Sequence, residues 1–567
     1  METRRPALSR AVMVWIAALP MLVAWPLPMV FTDEALSRPD TEAAIHIWGL
    51  WAAAVSGHPY IVDTQHMAWP DGFVGVLVDP LNLPAFLLGL LHGVPAAYNM
   101  TLYMGLVLAA TAGALLARRA GGNPAVGAFV AAASPPLLTQ SSLGMTETFT
   151  VGVVGLCLLA LLRCLEHPSW RRVVLAGVAL AACWYGGPYN GVWASLICVV
   201  VGIGALVRSP QRWRELLAAL SGTGLVGVLL TAPLANAVLS LRVAGQPGTA
   251  AASRLQAPMV NADMFRGGLR NGADLTDPFL PVVLTGGEAL ASHTAYMGIV
   301  ALSVAALAVW RRRALWPWLI GAFAVALVAL GPWLMMRGHP MQGPGGARLM
   351  TPLGWAILAF PFLGRLTHWY RIGAVGVILL AVPVSVWARS WRRGLAVGGM
   401  IALDVALCAP MAWPLETTAV PDTAVFDGLD GAGAMLTLPE STTKKPNIGF
   451  WRDRIQLDQV HHGRPVAGLA SWGGELSSSG AHAQMLVSGI EATGTLDRLE
   501  QAAFAGSGFR WLTVYHRRLQ HDPNRKSRID GCLGPPIATS RDVWIYSLER
   551  LRPEGCLGAK RDSMTVP

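Results

Sequence analysis

Charge is scarce in this sequence. Only 13% of its 567 residues are Asp, Glu, Lys or Arg, against about 25% in a typical soluble domain. With 53% of residues hydrophobic, a disordered chain is excluded and an ordinary soluble enzyme is disfavoured. Lysine is absent before Lys444, so arginine alone carries the fixed positive charge of the apolar part. Few charged residues fall inside the apolar runs, which speaks against ion-coupled transport, because that chemistry needs ionisable groups within the membrane. No internal two-fold repeat is visible, and a second transporter signature is thereby missing. His461, His462 and His516 lack the further ligands of a zinc site. The run Gly343-Pro-Gly-Gly346 lacks the Lys-Ser/Thr of a phosphate loop. The formal net charge of +10 does not indicate nucleic acid, because the basic residues sit in short clusters between apolar runs, where they act as topology signals.

What the sequence has in abundance is apolar length. A membrane-crossing helix needs about 20 residues, and about eleven runs qualify: 11–31, 97–117, 124–143, 146–165, 173–188, 191–207, 216–240, 294–310, 315–335, 371–388 and 394–413. The fold class is therefore mostly α, a polytopic α-helical membrane protein over 1–413. Two further apolar stretches, 81–95 and 351–366, read as interfacial or re-entrant. Arginine clusters follow or precede alternate runs, at Arg4–Arg5–Arg10, Arg118–Arg119, Arg163–Arg172, Arg208–Arg214, Arg311–Arg313 and Arg389–Arg393. All fall on one side of the map, and short basic loops stay cytoplasmic. The N-terminus is expected inside and the segment after the last run outside. The first run lacks a small-residue cleavage site and is expected to remain as an anchor. Loops 32–96, 242–293 and 336–370 are then extracytoplasmic, and their length suits an enzyme working at the outer face.

Composition changes at about 414, where all four lysines and several Asp-Gly turns appear. Residues 414–555 read as a small extracytoplasmic α/β domain, and 556–567 as a loose tail. Ala434–Leu438, Phe509–Tyr515 and 543–548 have the composition of strands, and 494–505 the spacing of an amphipathic helix. Cys157, Cys164, Cys183, Cys198 and Cys408 lie in or beside apolar runs and read as small buried hydrophobes. Cys532 and Cys556 both sit in Gly-Cys-Leu-Gly in the exterior segment, where an oxidising compartment permits a disulfide between them.

The first exterior loop carries the candidate chemistry. Asp33, Glu34, Asp40, Glu42, Asp63, Asp71 and Asp79 make it strongly acidic. A carboxylate here can act as a general base on an acceptor while a sugar leaves its phosphate. Carboxylates can also hold a divalent metal ion that neutralises the departing phosphate. Asp40, Asp33 and Glu34 are the catalytic candidates. The null alternative is helix capping and solvation, and Asp40-Thr41 can cap the helix that follows. Residues 41–55 have helical spacing, with Ile45, Trp48 and Trp51 or Ala52 on one face, as in a helix lying on the membrane surface. His46, Trp48, Asp63, Trp69 and Asp71 are candidate substrate-binding residues. Arginine grips phosphate with a planar fork, which makes Arg365, Arg371 and Arg348 of the later exterior segments the candidates for holding a donor phosphate.

A carboxylate after the first span, surface helices, many spans and an exterior terminal domain together resemble the GT-C membrane glycosyltransferase superfamily. Asp40, Trp48 and Trp51, then Trp69-Pro70-Asp71-Gly72, Tyr98-Asn99, Asp274-Leu-Thr-Asp-Pro278, Tyr296-Met-Gly298, Phe362-Leu-Gly-Arg365 with Tyr370-Arg371, and Ala434–Pro439 resemble, more closely, a group of large bacterial and archaeal membrane proteins related to it. The Asp33-Glu34 pair fits the position of the superfamily's acidic pair, whereas Asp40 fits the closer group. The resemblance implies a bacterial inner-membrane protein, a polyprenyl-phosphate-linked sugar donor, and transfer to an extracytoplasmic glycan, lipid or protein acceptor. The alternative is a non-enzymatic protein that moves or assembles lipid-linked envelope glycans.

Overall fold

The computed structural model describes residues 8–37, 43–58, 61–64, 66, 73–77, 79–243, 272–281, 295–360, 363–364, 366, 368–419, 423–438, 449–467, 478–493, 507–516, 522 and 524–551. The chain is mostly helical and divides into two compact units. One comprises Met1–Pro39, Val78–Asn236 and Ala257–Ala419, and the other Asp40–Leu77, Ala237–Gln256 and Val420–Pro567.

The first unit is an integral membrane bundle. Among the described residues, five helices are long and apolar enough to cross a bilayer: Val94–Arg119, Thr146–Glu166, Pro188–Arg208, Pro210–Leu239 and Trp369–Trp387. Shorter apolar helices, Arg10–Val23, Pro80–Leu90, Ile299–Arg311 and Arg313–Ala329, accompany them. The helix Gly373–Trp387 is apolar on every side and forms the centre. It packs against Val94–Arg119, Pro124–Ala132, Ile299–Arg311 and Trp316–Ala329. Small residues let these helices approach closely, as membrane packing requires. At the crossing of Val94–Arg119 with Pro124–Ala132, a β-carbon on Gly113 would lie 2.2 Å from the Gly127 carbonyl oxygen, and one on Gly127 would lie 2.6 Å from that of Gly113. Neither position has room for a side chain.

Proline breaks two of the expected spans. The run 124–143 forms two helices, Pro124–Ala132 and Pro135–Ser142, because Pro135 and Pro136 supply no amide hydrogen to continue the first. The run 11–31 stops at Val23 and restarts as Leu27–Val30 after Pro26. The stretch 81–95 becomes a short helix, Leu83–Leu90, divided from Val94–Arg119 by Gly93 at φ 105°. A two-residue ladder pairs Glu34–Ala35 antiparallel with Thr418–Ala419.

The second unit holds a four-stranded sheet in the order Ala434–Leu438, Phe509–Val514, Trp544–Ser547, Ala538–Thr539. The first pair is parallel and the others antiparallel. Leu436, Leu512 and Tyr546 of the sheet bury against Val487 and Ile490 of the helix Ser478–Thr493 and Ile529 of Arg525–Leu533. The helix expected at 494–505 lies outside the described residues. Cys532 is buried in this core and disulfide-bonded. Cys556 lies outside the described residues, and the five cysteines of the membrane unit are free.

The helix Ala43–Ser56 belongs to this second unit and does not lie bare on a surface. It packs on the helix Gly449–His462 and on the hairpin of Ile61–Thr64 with Phe73–Val76. Ile47, Trp48, Trp51 and Ala52 are buried. The Trp48 indole N–H donates to Gln459 Oε1 at 2.8 Å. The Gln459 amide in turn donates to the carbonyls of Arg464 and His66. The apolar face read as membrane-seeking is satisfied by protein instead.

Candidate functional site

The acid-bearing turn follows the helix Leu27–Val30. Asp33 is exposed at its tip, where its amide closes a turn onto the Val30 carbonyl at 3.1 Å. The Thr32 hydroxyl donates to Asp33 Oδ1 at 3.1 Å. Glu34 comes next, half-buried, in the short ladder with Ala419. This turn has no regular structure of its own, so its shape depends on an outside partner. That partner is Asn99, wholly buried near the start of Val94–Arg119. Asn99 Oδ1 accepts from the Leu36 amide at 3.0 Å, and Nδ2 donates to the carbonyls of Phe31 at 3.1 Å and Glu34 at 2.7 Å. One side chain thus ties down both sides of the Asp33-Glu34 pair.

Next to Asn99, a buried polar layer continues through the bundle. The Tyr98 hydroxyl donates to the Ser141 carbonyl at 3.1 Å, and its ring meets Phe149 edge-on. Phe149 lies in the 3-10 segment Thr146–Val151 that leads into the helix Gly152–Glu166. Thr146 donates its hydroxyl to the buried carboxylate of Asp79, which also accepts from Asn82 Nδ2 at 3.0 Å. Asn190 Nδ2 donates to the Glu147 carbonyl at 3.2 Å and to Thr150 Oγ1 at 3.0 Å.

Within the layer an ion pair joins Glu147 to Arg371, whose side chains are 10% and 4% exposed. The Arg371 guanidinium also lies 5.2 Å from the Tyr189 ring centre and donates to Met145 Sδ at 3.2 Å. Burying two charges costs several kcal/mol per ion, of the order of 5, so both must be paired and hydrogen-bonded. Arg371, expected to grip a phosphate, is closed onto a carboxylate. Arg348 is exposed and lies 6.0 Å from the Trp333 ring. Arg365 lies outside the described residues, as do Asp40, Trp69 and Asp71. The backbone of Asp63 pairs with Val74 in the hairpin. His46 is half-buried on Ala43–Ser56, and Trp48 is enclosed with its N–H spent on Gln459.

Asp404, an acid within an apolar run, has a structural partner set. Its carboxylate accepts from the Tyr296 hydroxyl at 2.6 Å and the Val300 amide at 3.0 Å. By accepting from Val300 it caps the N-terminal end of the helix Ile299–Arg311. In the second unit, His461 pairs with Asp427 at 2.8 Å. The His462 ring stacks at a tilt on Phe426 and accepts at Nδ1 from the Arg464 amide at 2.9 Å. Burial, and after it the positive charge of Arg464, push His462 down to about 3. Among the described residues no three His, Cys, Asp or Glu side chains cluster as a metal site. Asp33 and Glu34 offer two carboxylates, so a divalent ion would need further ligands from outside this pair.

No protein-family model matches the chain, and no curated protein is significantly similar to it. Solved structures do match. The cryo-EM structure of arabinofuranosyltransferase AftD from Mycobacteria is 19% identical with a TM-score of 0.52, over 96% of this chain and 40% of that one. The chain therefore spans well under half the length of that protein. ArnT from Cupriavidus metallidurans, bound to undecaprenyl phosphate, matches at 13% identity and a TM-score of 0.43, over 95% and 98% of the two chains. The Archaeoglobus fulgidus oligosaccharyltransferase with a tethered acceptor peptide matches at 12% and 0.40, over 89% and 68%.

Proposed function

We propose that this chain, which has the GT-C glycosyltransferase fold, transfers a sugar from a polyprenyl-phosphate donor to an extracytoplasmic acceptor. The observation that carries the reading is the Asn99 clamp, which fixes an exposed Asp33 beside Glu34 at one end of the membrane bundle. A general base must be held where an acceptor hydroxyl can reach it. Asp33 takes the proton from that hydroxyl as its oxygen attacks the anomeric carbon, and the bond to the lipid phosphate breaks. Asp40 is the other candidate for this role. Arg371 and Arg365 hold the donor phosphate, and Glu147 neutralises Arg371 until that phosphate arrives. A divalent ion, if the reaction uses one, would be held by Asp33 and Glu34 and would supply charge neutralisation at the leaving phosphate. The reading takes about eleven spans, with the N-terminus in the cytoplasm and the C-terminal sheet domain outside, where it meets the acceptor. The fold match to an arabinofuranosyltransferase supports this reading.

The test is sugar transfer by membranes containing the chain, from a labelled polyprenyl-phosphate pentose or hexose into envelope material. Asp33→Asn is expected to abolish transfer at an unchanged protein level. Transfer at the wild-type rate by both Asp33→Asn and Asp40→Asn would refute carboxylate catalysis from this loop.

A further inference from the structure

The helices Gly152–Glu166, Trp170–Tyr185, Pro188–Arg208 and Trp213–Val243 enclose a cleft of ≈ 580 Å³. Ligand sites range over about 300–1,000 Å³. Leucine, valine and isoleucine dominate its walls, and Ile203 and Val228 on its lip stay 56% and 66% exposed. An apolar cavity stays dry, and in a bilayer its natural occupant is a hydrocarbon chain.

Charge at the two ends decides which lipid supplies that chain. At one end the lining residues Leu161, Leu206 and Leu217 lie within three residues of Arg163, Arg208 and Arg214. Arg163 is exposed, makes no ion pair among the described residues, and lies within electrostatic reach of Arg118, Arg119 and Arg172. The nearby acids are already engaged, Glu166 by Arg119 and Glu215 by Arg212. This end is strongly positive. Towards the other end, around Trp184 and Thr231, the cation against Tyr189 is Arg371, which is buried and neutralised by Glu147.

We propose that this cleft binds an anionic phospholipid, with an acyl chain in the cleft and its phosphate on the Arg163 cluster. Basic pockets between membrane helices recognise anionic head groups in this way. A polyprenyl-phosphate donor fits less well, because the proposed function sets its phosphate on Arg371 and its sugar at the Asp33-Glu34 turn, away from the Arg163 cluster. That turn hangs on Asn99, and Asn99 is about 20 residues, or roughly 30 Å, along the same helix from Arg119. The proposal holds whether or not the chain transfers sugar.

Native mass spectrometry of the full chain in detergent tests it, with equal amounts of phosphatidylglycerol and phosphatidylcholine offered. Each arginine near an anionic surface contributes about 1 kcal/mol. The wild type is therefore expected to retain phosphatidylglycerol over phosphatidylcholine by about fivefold or more, and Arg163→Gln to lose about fivefold of that preference. Gly224→Phe is expected to release the retained lipid. Gly224 lines the cleft, and a β-carbon there meets nothing within 4 Å, so a side chain can start into the cleft without striking a neighbour. Equal retention of the two lipids by the wild type would overturn the proposal, and that comparison needs no variant to fold. Undiminished retention by Gly224→Phe, or retention of polyprenyl phosphate in place of phospholipid, would overturn it as well.

Discussion

Removing one partner of the Arg371–Glu147 pair should be among the most damaging single changes in the bundle. In Arg371→Met the Glu147 carboxylate stays 10% exposed, with its cation gone and little water to replace it. Breaking a buried pair in this way costs about 3–5 kcal/mol, whereas replacing both partners with apolar residues of similar size is often near neutral. Glu147→Leu should cost a similar amount, because it strands a guanidinium that is 4% exposed. The double variant Arg371→Met/Glu147→Leu should then lie well above the sum of the singles, with a coupling energy of about 2–3 kcal/mol or more. Equilibrium unfolding in mixed micelles measures all four corners of this cycle. A cost below about 1 kcal/mol for either single variant, or strict additivity in the double, would refute the claim that the two charges are buried and mutually dependent.

If Glu147 occupies the place of a donor phosphate, undecaprenyl phosphate should raise the thermal midpoint of Glu147→Gln more than that of wild type; an equal or smaller rise would remove Arg371 from the donor site. Asn99→Leu should leave the protein inserted but cut sugar transfer by about 100-fold, the usual cost of misplacing a reacting group by an ångström; unimpaired transfer would show that the clamp does not position Asp33. For His462, the folded value of about 3 lies below the ordinary 6.5. Its stabilisation is complete above pH 6.5 and is lost as pH falls towards 3, by at most ~1.4 kcal/mol per unit because a single proton is taken up. His462→Phe should flatten the acid limb of the second unit's unfolding curve, and an unchanged slope would contradict the burial argument. We propose Cys556 as the partner of Cys532; peptide mapping under non-reducing conditions should recover the two linked, and Cys532→Ser should cost about 2–5 kcal/mol. A different partner for Cys532 would sink that assignment.

The longest membrane helices were legible because apolar length alone specifies them. Residues 97–117 and 191–207 fall inside Val94–Arg119 and Pro188–Arg208. The strand composition of Ala434–Leu438 and Phe509–Val514 was legible for a similar local reason. Partnerships between distant residues were not. Arg371 read as a phosphate-holding arginine, and nothing local shows that it meets Glu147. Asn99 was visible as an amide opening an apolar helix, but its role depends on where residues 31–36 return. The face of Ala43–Ser56 carried the pattern of a surface helix because the pattern reports only that the face is apolar. Whether lipid or the Gly449–His462 helix covers it depends on packing across some 400 residues of chain. Asp404 lies within an apolar run, and finding Tyr296 and a helix N-terminus beside it required the fold.

Mass-spectrometric profiling of envelope glycans and lipid-linked sugars tests the sugar-transfer reading most directly. A deletion strain would be rescued with wild type, Asp33→Asn or Asp40→Asn at equal protein levels. Carboxylate-assisted transfer predicts that Asp33→Asn accumulates a lipid-linked sugar and lacks one sugar residue in the mature glycan. A wild-type profile from both variants would contradict it, and would leave a protein that moves or assembles lipid-linked glycans without making a bond.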